Sequence, residues 1–178
     1  LLEFLLEHSE IPRIRLSSIE PWDIDQNLVT LLNHPRIMPH LHIPLQSGSN
    51  LILKAMHRPV TQERYSQILA MIRETSPQTA ITTDVISGFP GETDELFEES
   101  FNFIKSCNFS GGHVFSFSSM PGTLANEMEN RVQPFVIKAR TNRLLAHFAG
   151  QEKLYKQQKI GQTEKILFES NIISPKGN

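Results

Sequence analysis

The chain holds a single cysteine, Cys107. No disulfide can close within it, and no metal centre can be built from its thiolates alone. One free thiol fits a reducing, cytoplasmic setting. Charge of one sign is also scarce. Lys and Arg number 17 against 19 Asp and Glu, a net charge of −2, which gives no global pull toward nucleic acid. Any RNA contact has to come from a local basic patch. No apolar run approaches the roughly 18 residues needed to span a bilayer, so no membrane partner is expected. The opening Leu1-Leu2-Glu3-Phe4-Leu5-Leu6-Glu7-His8 is apolar but acidic, without the basic lead of a secretion signal. What remains is ordinary for a globular chain, with 39% hydrophobic and 20% charged residues. A length of 178 residues fits one domain, or one domain plus a fragment. The start at Leu1, on what reads as the middle of a helix, is expected of an excerpt from a longer chain.

The richest stretch is Asp84-Val85-Ile86-Ser87-Gly88-Phe89-Pro90-Gly91-Glu92-Thr93. A β-branched run over 80–86 reads as a buried strand, breaks at Gly88-Phe89-Pro90-Gly91, and gives way to an acidic helix beginning at Thr93. Strand, glycine-rich turn and helix N-terminus make the loop on which α/β enzymes place a ligand. The plainer reading is an ordinary strand-to-helix turn, since short glycine motifs recur by chance.

Strand and helix patterns alternate along the rest of the chain. Residues 1–8 read as helix, and 12–18 as a strand. Residues 26–33 read as a short helix with Leu28, Leu31 and Leu32 on one face. A strand is expected over 40–45 and a helix over 61–75, with Tyr65, Ile68, Leu69 and Ile72 at i, i+3, i+4 and i+7. Further strands are expected at 79–86 and 112–118, a helix at 94–106, and a long helix from Pro134 toward Gln157. Such alternation predicts an α/β fold with a parallel sheet.

The strands alternate in polarity. Ile14, Leu16, Leu41, Ile43, Leu45, Ile81, Thr83 and Val85 share one parity, suited to a helix layer. Arg13, Arg15, Ser17, His40, His42, Gln46, Thr82, Asp84, Ile86, His113, Phe115 and Phe117 share the other. A doubly wound sheet has apolar residues on both faces, and a closed barrel is filled with branched aliphatics. The polar inner set instead favours a partial, open barrel of the TIM type, with about four parallel strands, covering helices and a site inside. Each strand also ends in small or polar residues, at 17–21, 46–49, 88–92 and 118–123. In barrels those ends converge on the active face.

Three stretches then carry a family resemblance. They are Arg13-Ile14-Arg15-Leu16-Ser17-Ser18-Ile19-Glu20-Pro21, His40-Leu41-His42-Ile43-Pro44-Leu45-Gln46-Ser47-Gly48-Ser49, and Thr82-Thr83-Asp84-Val85-Ile86-Ser87-Gly88-Phe89-Pro90-Gly91-Glu92-Thr93. In this order and spacing, extended by His113-Val114-Phe115 and Gly122-Thr123, they resemble the later half of the radical S-adenosylmethionine (SAM) domain of methylthiotransferases. The wording is most similar to the branch acting on threonylcarbamoyladenosine beside the tRNA anticodon, with the isopentenyladenosine branch next. The resemblance implies the third to sixth strands of a six-stranded partial barrel, SAM and [4Fe–4S] clusters as cofactors of the parent enzyme, and tRNA as its partner.

The residue roles below come from the resemblance. Gly88, Phe89, Pro90, Gly91 and Glu92 match the turn that packs around the adenine of SAM, with Ile86 and Phe89 as apolar walls. Ser18, Glu20, Gln46 and Ser47 fall where the family surrounds the ribose and methionine portions, and Phe117 and Ser118 where a strand end closes the nucleoside pocket. Parity independently places Gln46, Ile86 and Phe117 inside, whereas Ser18 has helix-facing parity. Arg15, His42 and Asp84 are candidates for substrate contact, and Asp84 is equally a structural partner for Arg15 or a histidine. No catalytic residue is assigned.

The departures from the family are as informative. Its Cys-x-x-x-Cys-x-x-Cys loop is absent, and Cys107, at a predicted helix end, reads as a buried structural thiol. Residues 159–169 resemble the opening of the family's small RNA-binding β-barrel, too short here to close. The expected organisation is therefore a partial barrel over 1–157 and a truncated second domain over 158–178. His40, His42 and His113 have strand spacing that suits zinc, but without a third ligand nearby in sequence no metal is assigned. Arg131, Lys138, Arg140 and Arg143, like Lys153, Lys156 and Lys159, read as solvated helix faces. Two functions stay open. One is a fragment of a tRNA-modifying methylthiotransferase, inactive alone. The other is a non-catalytic binding module, with self-association expected through the unpaired edge around 13–17.

Overall fold

The protein is described here by a computed structural model covering residues 1–163, 166 and 167. Most of the expected second domain, 158–178, lies outside the described residues.

Among the described residues, the pattern of the sequence maps onto ten elements and one short 3-10 turn, Pro21–Asp23. The first two helices are α1 (Leu2–His8) and α2 (Gln26–Leu31). The sheet consists of β1 (His40–His42), β2 (Ala80–Ser87) and β3 (Gly111–Ser116). Helices α3 (Asn50–Ala55) and α4 (Gln62–Thr75) join β1 to β2, and α5 (Asp94–Ser106) joins β2 to β3. A short α6 (Leu124–Glu127) and the 25-residue α7 (Pro134–Gln158) follow. The strands are parallel in the order β1-β2-β3. The architecture is an open, partial α/β barrel with covering helices.

Helix starts follow local chemistry. Asp25, Thr61 and Thr93 each accept a hydrogen bond from the backbone N–H three residues on, satisfying donors that a helix cannot pair internally. On α4 the buried residues are Tyr65, Ile68, Leu69 and Ile72, the face predicted from spacing. They meet Leu41, Ile43, Leu45, Ile81 and Val85 in one apolar core. Thr83 shares that face, and its hydroxyl donates to Ile43 O (2.9 Å) and accepts from Leu45 N–H (3.0 Å).

Three regular strands form where four were expected, and prolines explain the difference. Among the described residues, 12–18 pair only at Ile14 with Ile37 and at Ser18 with His42. The partner segment carries one extra residue between those bridges, around Pro39, which has no N–H to offer a ladder. Likewise β1 ends at His42 instead of Leu45 because Pro44 interrupts it. Pairing resumes one residue out of step at Gln46 and Val85, and Thr83 fills the gap as described.

Candidate functional site

The inner face of the sheet and the strand ends divide into two cavities. One, about 950 Å³, lies at the C-terminal ends of β1 and β2, walled by Gln46, Ile86, Phe89, Arg58, Leu124 and Met128 among others. The other, about 600 Å³, sits over the inner face and is lined by Arg15, Ser18, His42, Thr82, Asp84 and His113 among others.

Gln46 is built into the first cavity by its backbone. Its N–H donates to Asp84 O and its carbonyl accepts from Ile86 N–H, each at 2.8 Å. Between them the residue takes φ 70, a left-handed conformation uncommon for any residue but Gly and retained here by two ladder bonds. Phe89 stands on the turn after β2, nearly buried, with Phe117 edge-on at 5.4 Å. Arg58 closes another side. It forms two hydrogen bonds to the Glu20 carboxylate (3.2 and 2.5 Å), donates to Pro44 O, and lies 4.8 Å from the Trp22 ring centre. Its Nε is buried and has no hydrogen-bond partner among the described residues. Arg58 and Lys54, both lining this cavity, carry no periodic or motif signal in the sequence. The Glu20–Arg58 pair spans 38 positions and is recognisable only in three dimensions.

The glycine turn has a packing reason. Gly88 has φ +83, and a β-carbon there would lie 2.4 Å from Ile137 Cγ1 on α7. Its N–H donates to Glu92 Oε2 at 2.8 Å. That carboxylate is buried against Arg140 Nη1 (2.8 Å), and burial pushes its pKa up against the pull of those partners. Arg140 also reaches Glu92 O and Asp94. It is therefore not on a solvated helix face as the sequence pattern indicated, because α7 turns it inward onto the turn after β2. Arg143 lies further out, bound to Glu98 and over the Phe101 ring at 4.2 Å.

The remaining sequence candidates are spread out. Ser47 is fully buried, its hydroxyl accepting from Ser49 N–H and lying 3.5 Å from the Ser100 hydroxyl. Pro90 is buried, and Gly91 donates to Asn130 O. Ser18 and Arg15 line the second cavity, and Ser118 is exposed.

In the second cavity Asp84 stands between two imidazoles. Oδ2 lies 3.2 Å from His42 Nε2 and Oδ1 3.0 Å from His113 Nδ1. Thr82 Oγ1 then links His42 Nδ1 (3.0 Å) to His40 Nε2 (3.1 Å). The histidine alternative for Asp84 is thus the one with a contact. Burial, and then the charge of Arg15, hold His40 below the usual imidazole range.

Cys107, the C-cap of α5, is buried, and burial pushes its thiol up to about 12. An inert thiol, alone in the chain, does not match the three thiolates of a radical SAM cluster. The first cavity does fit SAM in size and chemistry, with the apolar walls of Ile86 and Phe89 for a purine and the charge of Arg58 on its lining for an anionic group.

The Radical SAM superfamily profile matches residues 1–104, and the chain belongs to that superfamily. It is related within it to the tRNA methylthiotransferases. The tRNA-2-methylthio-N(6)-dimethylallyladenosine synthase of Streptomyces coelicolor is 44% identical over 76% of this chain and 27% of its own length. The same-named protein of Bartonella henselae is 39% identical over 95% of this chain and 37% of its own. The threonylcarbamoyladenosine tRNA methylthiotransferase of Bacillus subtilis is 42% identical over 88% and 35%. The chain thus spans about a quarter to two fifths of these relatives. Among solved structures, Escherichia coli coproporphyrinogen III oxidase, a radical SAM enzyme, superposes with TM-score 0.68 over 84% of this chain and 36% of its own, at 18% identity. A radical SAM methyltransferase from Kitasatospora setae gives 0.55 over 67% and 24%, at 16% identity. No described helix is long and apolar enough to cross a membrane.

Proposed function

We propose that this chain is the SAM-holding segment of a tRNA methylthiotransferase, and that by itself it binds SAM without cleaving it. The observation that carries the reading is the cavity at the strand ends, where Gln46, Ile86 and Phe89 meet Arg58. Ile86 and Phe89 would wall the adenine, Gln46 would hold polar groups of the ribose or methionine, and Arg58 on the same lining would supply positive charge for the carboxylate. When bound, SAM supplies the sulfonium whose cleavage begins radical chemistry in the superfamily. No step beyond binding follows from this chain's residues, whose one thiol cannot assemble a cluster.

The nucleoside is read as dimethylallyladenosine, the substrate in the names of the Streptomyces and Bartonella relatives. This replaces the threonylcarbamoyl expectation drawn from wording. The Bacillus relative, at comparable identity, marks the threonylcarbamoyl branch as the second reading.

Calorimetric titration with SAM tests the binding reading. Saturable binding is expected, weakened about tenfold or more by Phe89→Ala or Arg58→Met, with no 5′-deoxyadenosine formed after anaerobic iron and sulfide treatment. Absence of binding at millimolar SAM overturns it, and so does 5′-deoxyadenosine production. Association is a separate part of the proposal. Among the described residues no bridge pairs 15–17, and an unpaired extended edge is a template for a second copy. Sedimentation should show concentration-dependent dimers, and a strict monomer at high concentration rejects that part.

A further inference from the structure

We propose that His42, Asp84 and His113 form a binding site for a borderline divalent cation of the zinc type, distinct from the cavity assigned to SAM. Each residue offers one ligand atom, and these atoms lie within 4.8 Å of one another. His42 comes from β1, Asp84 from β2 and His113 from β3. The β2–β3 register sets Asp84 directly beside His113. Parallel pairing and the period-two alternation therefore project all three onto one face. Ligands of a tetrahedral cation with bonds near 2.0–2.2 Å stand roughly 3.3 Å apart. The carboxylate oxygens already lie 3.2 and 3.0 Å from the two ring nitrogens. With both Asp84 oxygens turned to the cation, the two imidazoles would need to draw together around it. His113, 72% exposed, is free to turn.

Three further features separate this group from a chance cluster. His42 is oriented from behind, with Nδ1 against Thr82 Oγ1 and Nε2 directed at Asp84. Metal-ligating imidazoles characteristically have such a partner on the second nitrogen. The group opens into the cavity of about 600 Å³, which leaves room for water or an exogenous ligand at the remaining positions. Two imidazoles and a carboxylate, with no thiolate within reach, select a borderline cation rather than a soft one or a hard oxygen-seeking one. Binding exchanges the protons shared between Asp84 and the histidines for the metal.

The test uses the tag-free chain, stripped with chelator and titrated with cobalt(II) alone. The expected result is one equivalent bound, with visible ligand-field bands of nitrogen and oxygen coordination, no sulfur charge-transfer band, and displacement by zinc. His113→Ala and Asp84→Asn should each weaken binding about thirtyfold or more. Thr82→Val should weaken it about tenfold through the orientation of His42, and His57→Asn should leave it unchanged. His113 is exposed enough that its variant keeps the fold, as far-UV circular dichroism would show, so the test survives any misfolding of Asp84→Asn. No binding at millimolar cobalt overturns the site. So does binding that His113→Ala leaves intact, or a sulfur charge-transfer band.

Discussion

The two faces of the sheet are built from the same three strands and the segment that continues β1, and they obey opposite rules. On the outer face Leu41, Ile43, Leu45, Ile81 and Val85 are almost completely buried, and the one polar group among them, Thr83, has both its hydrogen bonds. On the inner face His42, Thr82, Asp84 and His113 bond to one another beside an open cavity. The outer face commits the chain to its fold, because dry packing penalises any lost contact. The inner face stores chemistry at little cost, because water or a ligand can complete its bonds. Changes on the two faces should therefore differ in size.

The largest effect is expected where charge is enclosed on the outer side. Arg140 is 6% exposed and holds Glu92, 4% exposed, at 2.8 Å. Arg140→Ala leaves that carboxylate buried beside the Gly88 N–H alone, and should destabilise by about 3–5 kcal/mol. Urea unfolding reads this directly. A loss under about 1 kcal/mol would show that water reaches the pair.

Next in size is the glycine turn, where two positions of like conformation separate clash from strain. Gly88 and Gly91 have φ of +83 and +86. A β-carbon at Gly88 meets Ile137, whereas at Gly91 nothing lies within 4 Å. Gly88→Ala should cost about 2–3 kcal/mol from strain and overpacking together, and Gly91→Ala about 1 kcal/mol from backbone strain. Equal costs would remove the role given to α7 in shaping the turn.

These differences also explain what was readable in the sequence. Periodicity predicted the buried face of α4 and the two parities of the strands, because both are repeated patterns set by local geometry. The glycine turn was legible through its composition. The ends of the strands were not, since Pro39 and Pro44 shift the register by one residue each, an effect that depends on which segment lies alongside. Arg140 looked like any basic residue on a helix, and only the docking angle of α7 makes it internal. The parity of Asp84 marks it as inward-facing, but its position between His42 and His113 depends on the pairing of β2 with β3.

A smaller effect is expected from His147, at the rim of the outer layer. Its ring lies 5.7 Å from Phe101 and 5.5 Å from Phe148. Burial, followed by the charge of Lys105, holds its pKa below the ordinary value of 6.5. A depressed folded-state pKa means that the unfolded chain binds the proton more readily. The stabilising contribution is present above about pH 6.5 and is lost as pH falls through the lower folded value. His147→Gln should flatten the decline of melting temperature over that acidic window. An unchanged decline would assign the acid sensitivity to other groups.

The smallest effect belongs to the inner face and tests the comparison from its weak side. His113 is 72% exposed, and its contact with Asp84 is a single interaction between a solvent-facing ring and a carboxylate that His42 also holds. Removing one exposed partner leaves Asp84 with His42 and with access to water, so no buried charge is stranded. His113→Ala should therefore change unfolding free energy by no more than about 0.5 kcal/mol, even though the same substitution abolishes one ligand of the proposed cation site. A loss of 2 kcal/mol or more without added metal would mean that the Asp84 cluster holds the sheet together. The inner face would then be structural, and the division between a face that folds and a face that binds would fail at its clearest residue.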